Sequence, residues 1–521
     1  MDIGACYRRW LRNNGTKSEA LYRALREYVQ AGHIRHGEAL PSTRELAHSI
    51  DVSRGTVLSA VDRLISEGFV EGKRGSGIYV SYQPFNLASA SERQAEQALP
   101  SSVPPHVSLS NWAAMMMSPN MRYSTTDLLK HEYAEHESRL ISTARVEARE
   151  FTSESRQTPI SLNYHLLNES LFSQRVWQQC LYAAVRDMNW GRGMDTQGDS
   201  DLREAIAVYL ARQRGIRASK EQIVIFQGSK QALMLLCRCL VNEGDTVITE
   251  SPSYIGISQA IRAAGGCVEA AAIEDEGELE RKLHGTHARL AILTPNRQFP
   301  TGRTLSLTSR QALLQWAANG PHLIIEDDYD SEFGWGGKMY EPLHVMDERN
   351  SIVYVGSFSR TLTPSLRIGY AVLPEWLVEP VVSLKQLTEP YAGGQIEQRA
   401  LADFMLRGEY EKHIRRAKRF YSKKVQTFCR LMQEKVGHLF NWYAGDIGLH
   451  LFARWRQAPE LFPVFKDRAN HYGVKWADVD KHDILRPVAP GAMFGFAHLE
   501  ESDWHEACRR MLAAWADIQP K

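Results

Sequence analysis

The chain has 521 residues, 43% of them hydrophobic and 24% charged, the balance of a globular protein too long for one ordinary core. No run approaches the roughly 18 apolar residues that cross a bilayer, and Met1–Arg12 carries arginines without an apolar stretch, which argues against a secretory leader. The expected location is the cytoplasm, with no membrane partner. The formal net charge is +1, but its distribution is uneven. Residues 1–83 hold 12 Lys/Arg against 9 Asp/Glu, a mild positive excess that permits nucleic-acid binding at the front. Seven cysteines without a C-x-x-C pair indicate neither a zinc site nor a disulfide framework, and no metal is expected.

The first helix spans Ser18–Gln30, with Leu21, Leu25 and Tyr28/Val29 on one face. The next begins at Ser42-Thr43-Arg44-Glu45, a capping box in which Ser42 and Glu45 satisfy each other's free backbone donors, and runs to Ile50. After the short Asp51-Val52 turn a third helix starts at Ser53. Its Val57, Val61 and Leu64 face inward and leave Ser53, Arg54 and Thr56 on an exposed first turn, where a recognition helix meets base edges. Phe69–Glu71 and Ile78–Val80 form two short strands. Between them the tip Gly72-Lys73-Arg74-Gly75-Ser76-Gly77 brings backbone close to a phosphate while Lys73 and Arg74 supply charge.

Leu40–Ala47, Val52–Val57 and Gly75–Val80 together resemble the GntR-type winged helix-turn-helix over nearly all of residues 18–80. That resemblance implies a double-stranded DNA operator as partner. Its candidate contacts are Ser42, Arg44, Ser53, Arg54 and Thr56, with Lys73, Arg74 and Gly75 at the wing.

Residues 81–158 are rich in Ser, Ala, Gln and Pro, as in Ala98–Pro105, and are expected to form a linker, with one polar helix over Asp127–Glu150. From 159 to 517 helical patterns alternate with short aliphatic strands, the signature of an α/β domain with a parallel sheet. Several strands end in polar clusters: Ile223–Ile225 before Gln227-Gly228-Ser229-Lys230, Thr246–Thr249 before Glu250–Tyr254, Leu290–Leu293 before Thr294–Gly302. Leu323–Ile325 precedes Glu326-Asp327-Asp328-Tyr329, and Ile352–Val355 precedes Gly356–Arg360 and Leu366–Tyr370. Ligands of open α/β sheets bind beyond the carboxyl ends of the strands, so these loops converge on one pocket. Small hydroxyls, an arginine, an aromatic and a carboxylate suit a phosphorylated aromatic cofactor.

This second region resembles the fold-type I aminotransferases from about 160 to 515, and the whole chain resembles the MocR/GabR family, which joins a GntR-type reader to such a domain. Asn296–Gly302 looks like the Q-[FY]-P-T-G loop, and Glu326–Phe333 matches E-D-D-Y-D-S-E-F residue for residue. The implied fold is a winged helix-turn-helix followed by a pyridoxal-phosphate-dependent transferase-like domain, with a mixed, mostly parallel sheet and a smaller α+β subdomain. By resemblance Asp327 pairs with the pyridinium nitrogen, keeping the ring an electron sink, and Tyr329 with the ring hydroxyl. Tyr254 stacks on the ring, while Ser229, Ser357, Ser359 and Arg367 hold the phosphate. The implied assembly is a homodimer on paired half-sites.

The pattern breaks at its centre. The family's F-S-K-T-L lysine, which forms the Schiff base, is replaced in Phe358-Ser359-Arg360-Thr361-Leu362. A guanidinium stays protonated and offers no free amine to an aldehyde, although Arg360 retains charge and hydrogen bonds for a phosphate or carboxylate. Gly193 stands where family members often carry tyrosine, Gly256 where some carry arginine and Met493 where the carboxylate-binding arginine is expected, and Lys230 and Arg297 replace the usual Gln and His. The expectation is a DNA-binding regulator that senses a small effector, through non-covalent pyridoxal phosphate or an amino-acid-related ligand, without turnover. The alternatives are an active aminotransferase using Lys230, or a regulator whose second domain no longer binds the cofactor.

Overall fold

The computed structural model describes residues 3–12, 16–73, 77–82, 110, 159–188, 193, 195–272, 275, 277–334, 340–443, 448–479, 482–485 and 490–519. Residues 81–158, expected as linker, lie outside the described residues except for Ser81, Tyr82 and Ser110. The helix expected over Asp127–Glu150 and the wing residues Arg74 and Gly75 lie outside them too, as does the side chain of Lys73. The described residues form two compact units, one N-terminal and one holding most of the remainder.

The N-terminal unit contains four helices and a hairpin: α1 (Ile3–Arg12), α2 (Lys17–Gln30), α3 (Thr43–Ile50), α4 (Arg54–Ser66), β1 (Val70–Lys73) and β2 (Gly77–Val80). Each of α2, α3 and α4 begins on a hydroxyl side chain. Thr16, Ser42 and Ser53 accept from the backbone N–H three residues on, and at α3 Glu45 returns the bond to Ser42. Leu21, Leu25, Val29, Val57, Val61 and Leu64 meet in one buried core. Helix α1 precedes the elements expected from the sequence, and its Cys6 and Tyr7 join that same core. The hairpin is antiparallel, with Val70 opposite Val80.

The second unit is built on a seven-stranded sheet. Its strands are β4 (Ile223–Phe226), β5 (Thr246–Ser251), β6 (Cys267–Ala272), β7 (Leu290–Leu293), β8 (Leu323–Asp328), β9 (Ile352–Ser357) and β10 (Gly369–Val372), preceded in the chain by the short β3 (Ile160–Ser161). The spatial order is β4-β10-β9-β8-β7-β5-β6, and β10 runs antiparallel to both its neighbours while the remaining pairs are parallel. The strands read as unbroken apolar runs because both faces are covered. Val224 and Phe226 pack with helices Ser229–Leu240 and Ile255–Ala263, whereas Ile223 and Ile225 pack with helices Ser200–Gln213 and Gln395–Leu406.

A second layer follows. Strands β11 (Phe440–Tyr443), β12 (His450–Trp455), β14 (Ala477–Asp478) and β15 (Gly491–Gly495) form an antiparallel sheet in the order β11-β12-β15-β14. Helices Glu409–Val436, Leu461–His471 and Glu501–Ile518 cover it around an aromatic core of Phe428, Phe440, Trp455, Phe465, Phe494 and Trp504. The stretch at β3 pairs with β13 (Val474–Lys475), which ties residue 160 to this α+β layer.

Candidate functional site

In the N-terminal unit, the hydroxyls of Ser53 and Thr56 bond each other at 2.9 Å while Ser53 Oγ accepts from Thr56 N. The first turn of α4 is therefore fixed before any partner arrives. Arg54 beside it and Arg44 on α3 are exposed and enter no ion pair among the described residues. Behind this face Arg63 bridges Glu19 and Glu67 and stacks over Tyr22, 3.8 Å from its ring, which holds α2 against α4.

In the second unit the carboxyl ends of β4, β5, β7, β8 and β9 open into one cleft, the place where open α/β sheets bind their ligands. All eight residues expected at the cofactor line it: Ser229, Tyr254, Asp327, Tyr329, Ser357, Ser359, Arg360 and Arg367. Lys230 and Phe299 also line it, together with Tyr164, His165 and His450, which sequence reasoning did not single out. Nothing local marked those last three, because they are brought in by β3 and β12 from the far layer.

The acidic end of β8 divides its work by the two-residue period of a strand. Glu326 accepts from Asn296 Nδ2 at 2.9 Å and from the backbone of Leu343 and His344, each at 3.0 Å. Asp328 pairs with Arg214 and accepts from Tyr354 Oη at 2.7 Å. Asp327 points the other way. It is buried, and its Oδ1 has no hydrogen-bond partner among the described residues. Burial, with Asp328, Glu250 and Asp330 nearby, pushes its carboxyl up to about 7.

The loop after β4 turns at Gly228, whose φ of +88° favours a residue without Cβ. The helix Ser229–Leu240 then starts with no side chain capping its N-terminus, so its first N–H groups remain available to an anion. Ser357 Oγ accepts from Ser359 N at 3.2 Å, and Ser359 Oγ is buried without a hydrogen-bond partner among the described residues. Arg367 is exposed and donates to Gln227 O at 3.1 Å. Lys230 Nζ is engaged with Gln259 Oε1 at 3.1 Å.

Beneath the cleft Arg297 is fully buried and donates through Nη1 to Asp330 at 2.7 Å and Tyr329 Oη at 2.8 Å. A Cβ at residue 448 would lie 1.8 Å from Arg297 Cζ, so Gly448 makes the room this guanidinium occupies. His450 Nδ1 faces Arg297 Nη2 at 3.3 Å and Nε2 faces Pro300 O at 3.0 Å. A guanidinium only donates and a carbonyl only accepts, so His450 is the neutral tautomer with its proton on Nε2. Burial, then Arg297 and Arg360, hold its pKa well below the ordinary histidine range.

Comparison with known proteins agrees with both units. Residues 17–80 match the family model for bacterial regulatory proteins of the gntR family, and residues 162–480 match that for aminotransferase class I and II. A probable rhizopine catabolism regulatory protein of Rhizobium meliloti, MocR, is 30% identical over 96% of this chain and 94% of its own length. The chain belongs to the MocR-type regulators. A further relative of this regulator, the HTH-type transcriptional regulator TauR of Rhodobacter capsulatus, is 28% identical over 85% of this chain and 84% of its own. A kynurenine aminotransferase of Pyrococcus horikoshii shares the fold of the second unit, with a TM-score of 0.64 at 24% identity over 70% of this chain and 93% of that one. The MocR-type chain is thus a transcription regulator with a GntR-type DNA-binding unit and an aminotransferase-like unit. Among its described residues no helix is long and apolar enough to cross a membrane, and no cluster of potential metal ligands occurs.

Proposed function

We propose that this regulator binds pyridoxal phosphate non-covalently in its aminotransferase-like domain and uses it to sense an amino-acid-related effector, without turning over substrate. The observation that carries this reading is the pairing of a vacant acceptor with a missing amine. Asp327 Oδ1 is buried and has no hydrogen-bond partner among the described residues, as a pyridinium N–H requires. Arg360 takes the lysine's place, and Lys230, the one lysine lining the cleft among the described residues, is bonded to Gln259.

The remaining lining suits the same ligand. The open N-terminus at Ser229, the hydroxyls of Ser357 and Ser359, and Arg367 would hold the phosphate. Tyr254 would cover the ring. Tyr329, whose oxygen already accepts from Arg297, keeps its own proton to donate to the ring hydroxyl. The bound cofactor supplies an electron-poor ring and an aldehyde, and Arg360 offers that aldehyde no amine.

The domains are assigned as 15–80 for DNA binding, 81–158 as linker and 159–517 for the effector, in a cytoplasmic homodimer. Ser42, Arg44, Ser53, Arg54, Thr56, Lys73, Arg74 and Gly75 would contact the operator. An effector acts by binding one arrangement of the dimer more tightly than another.

Titration of the purified chain with pyridoxal phosphate, followed by borohydride reduction and mass analysis, tests the reading. The expected result is saturable binding with no cofactor fixed to the protein, and covalent fixation at residue 360 in Arg360→Lys. Fixation of the cofactor to Lys230 in the wild type would overturn it in favour of an amine-bearing enzyme.

A further inference from the structure

Two guanidiniums share a single carboxylate on one side of the cleft. Arg297 takes Asp330 Oδ2 at 2.7 Å, while Arg360 Nη2 stands 3.9 Å from the same oxygen, outside hydrogen-bond reach. Arg360 Nη1 donates to the backbone carbonyl of Tyr164. Nη2 is buried and donates to nothing among the described residues, although the side chain is only 11% exposed. His450 contributes no negative charge, being a neutral ring that accepts from Arg297 and donates to Pro300 O. No ion pair joins Arg360 to Asp327. A buried cation with a vacant donor is costly unless an anion completes it, and Arg360 lines the cleft from which one would arrive.

We propose that Arg360 is the carboxylate-binding residue of the effector site, so that the effector is an amino acid whose carboxylate is received by Nη2 beside the pyridoxal ring. The inference rests on the cleft holding a pyridoxal vitamer, and it adds the recognition that a covalent anchor at this position would preclude. The phosphate is served elsewhere, by the Ser229 helix terminus and Arg367, whose contact at Gln227 O places it at the loop after β4. Arg360 is therefore a specificity residue for the effector and not a phosphate ligand.

Three stable probes separate these roles by calorimetry on the full chain: pyridoxamine phosphate, N-(5′-phosphopyridoxyl)-L-leucine, and the corresponding isopentylamine conjugate that lacks only the carboxylate. None carries an aldehyde, so covalent capture cannot confuse the readout. Wild type is expected to bind the leucine conjugate roughly 10- to 100-fold more tightly than the isopentylamine conjugate, the span of one charge-assisted hydrogen bond. In Arg360→Gln the ratio falls to near one, while affinity for pyridoxamine phosphate changes by less than about threefold. Arg360→Lys, which keeps the charge, retains part of the preference and guards against a folding defect in the glutamine variant. A wild-type ratio near one with measurable binding overturns the assignment. So does an Arg360→Gln variant that weakens all three probes equally, which would make Arg360 a phosphate ligand. Failure of wild type to bind any of the three removes the cofactor reading itself.

Discussion

Replacing Asp327 by asparagine should stabilise the ligand-free protein at alkaline pH while removing its response to pyridoxal phosphate. The native carboxyl ionises at about 7, raised from 3.8 chiefly by burial, whereas in the unfolded chain it ionises near 3.9. The folded state thus binds the proton more tightly. The associated stability is fully present below about pH 4 and is lost as pH rises through 7. Asparagine mimics the protonated form at every pH. Between pH 5.5 and 8.5 the wild type crosses about 1.5 further pKa units, so the variant's advantage should grow by about 2 kcal/mol at 1.36 kcal/mol per unit, and level off above. Urea unfolding of both proteins at the two pH values, with no vitamer present, measures this. Added pyridoxal phosphate should then raise the wild type's midpoint at pH 8.5 and leave that of Asp327→Asn nearly unmoved, since an amide cannot neutralise a pyridinium. An advantage that does not grow with pH, or a wild type that is the more stable at pH 8.5, refutes the premise that Asp327 is held unpaired in the empty cleft.

Two further outcomes follow from the geometry. Gly448→Ala drives a Cβ to 1.8 Å from Arg297 Cζ at a φ of +108°; displacing that guanidinium breaks the buried Arg297–Asp330 pair and leaves Asp330 with Arg360 alone, 3.9 Å away, which should cost about 3–5 kcal/mol in a thermal or denaturant melt, and a loss below about 1 kcal/mol would mean that Arg297 relocates freely. Arg54→Ala should weaken binding to an operator selected from random duplexes by about 1–3 kcal/mol in fluorescence anisotropy, while an unrelated duplex loses much less; equal losses on both would assign Arg54 to the phosphate backbone and not to base edges.

Local features carried most of what the sequence disclosed. The capping box at Ser42–Glu45 and the inward stripe of Val57, Val61 and Leu64 are written within one or two helical turns, and the structure reproduces both. The strand-end clusters were legible for the same reason, since each cleft residue from Ser229 to Arg367 sits within a few positions of an aliphatic strand. Tyr164, His165 and His450 left no such trace. They reach the cleft from the α+β layer, and only the pairing of β3 with β13 and of β12 with β15 brings that layer to its site. Gly448 is a further case, because its meaning depends on a side chain 151 positions away in the chain. Helix α1 was missed because its packing face of Cys6 and Tyr7 is short and flanked by arginines. The change from the usual histidine to Arg297 also gains a meaning: its guanidinium lies beneath the lining, bonded to Asp330 and Tyr329.

That change links the chain's departures from the family pattern to one another. At Gly193 a Cβ would meet the ring of Tyr391 at 2.2 Å, and at Gly256 it would meet the ring of Tyr254 at 2.3 Å. In both places a neighbouring aromatic fills the volume of the side chain that the resemblance leads one to expect. Met493, where the resemblance leads one to expect a carboxylate-binding arginine, is fully buried among Tyr164, Phe299 and Phe452, so the side chain there is part of the core. Arg297, where the resemblance leads one to expect histidine, takes Asp330 Oδ2 at 2.7 Å, and Arg360 Nη2 stands 3.9 Å from that same oxygen without hydrogen-bonding it. Here the apolar replacements are packed, and three of the buried polar atoms without a hydrogen-bond partner among the described residues, Asp327 Oδ1, Ser359 Oγ and Arg360 Nη2, belong to residues lining the cleft, where a ligand with a cationic ring, a phosphate and a carboxylate would complete them.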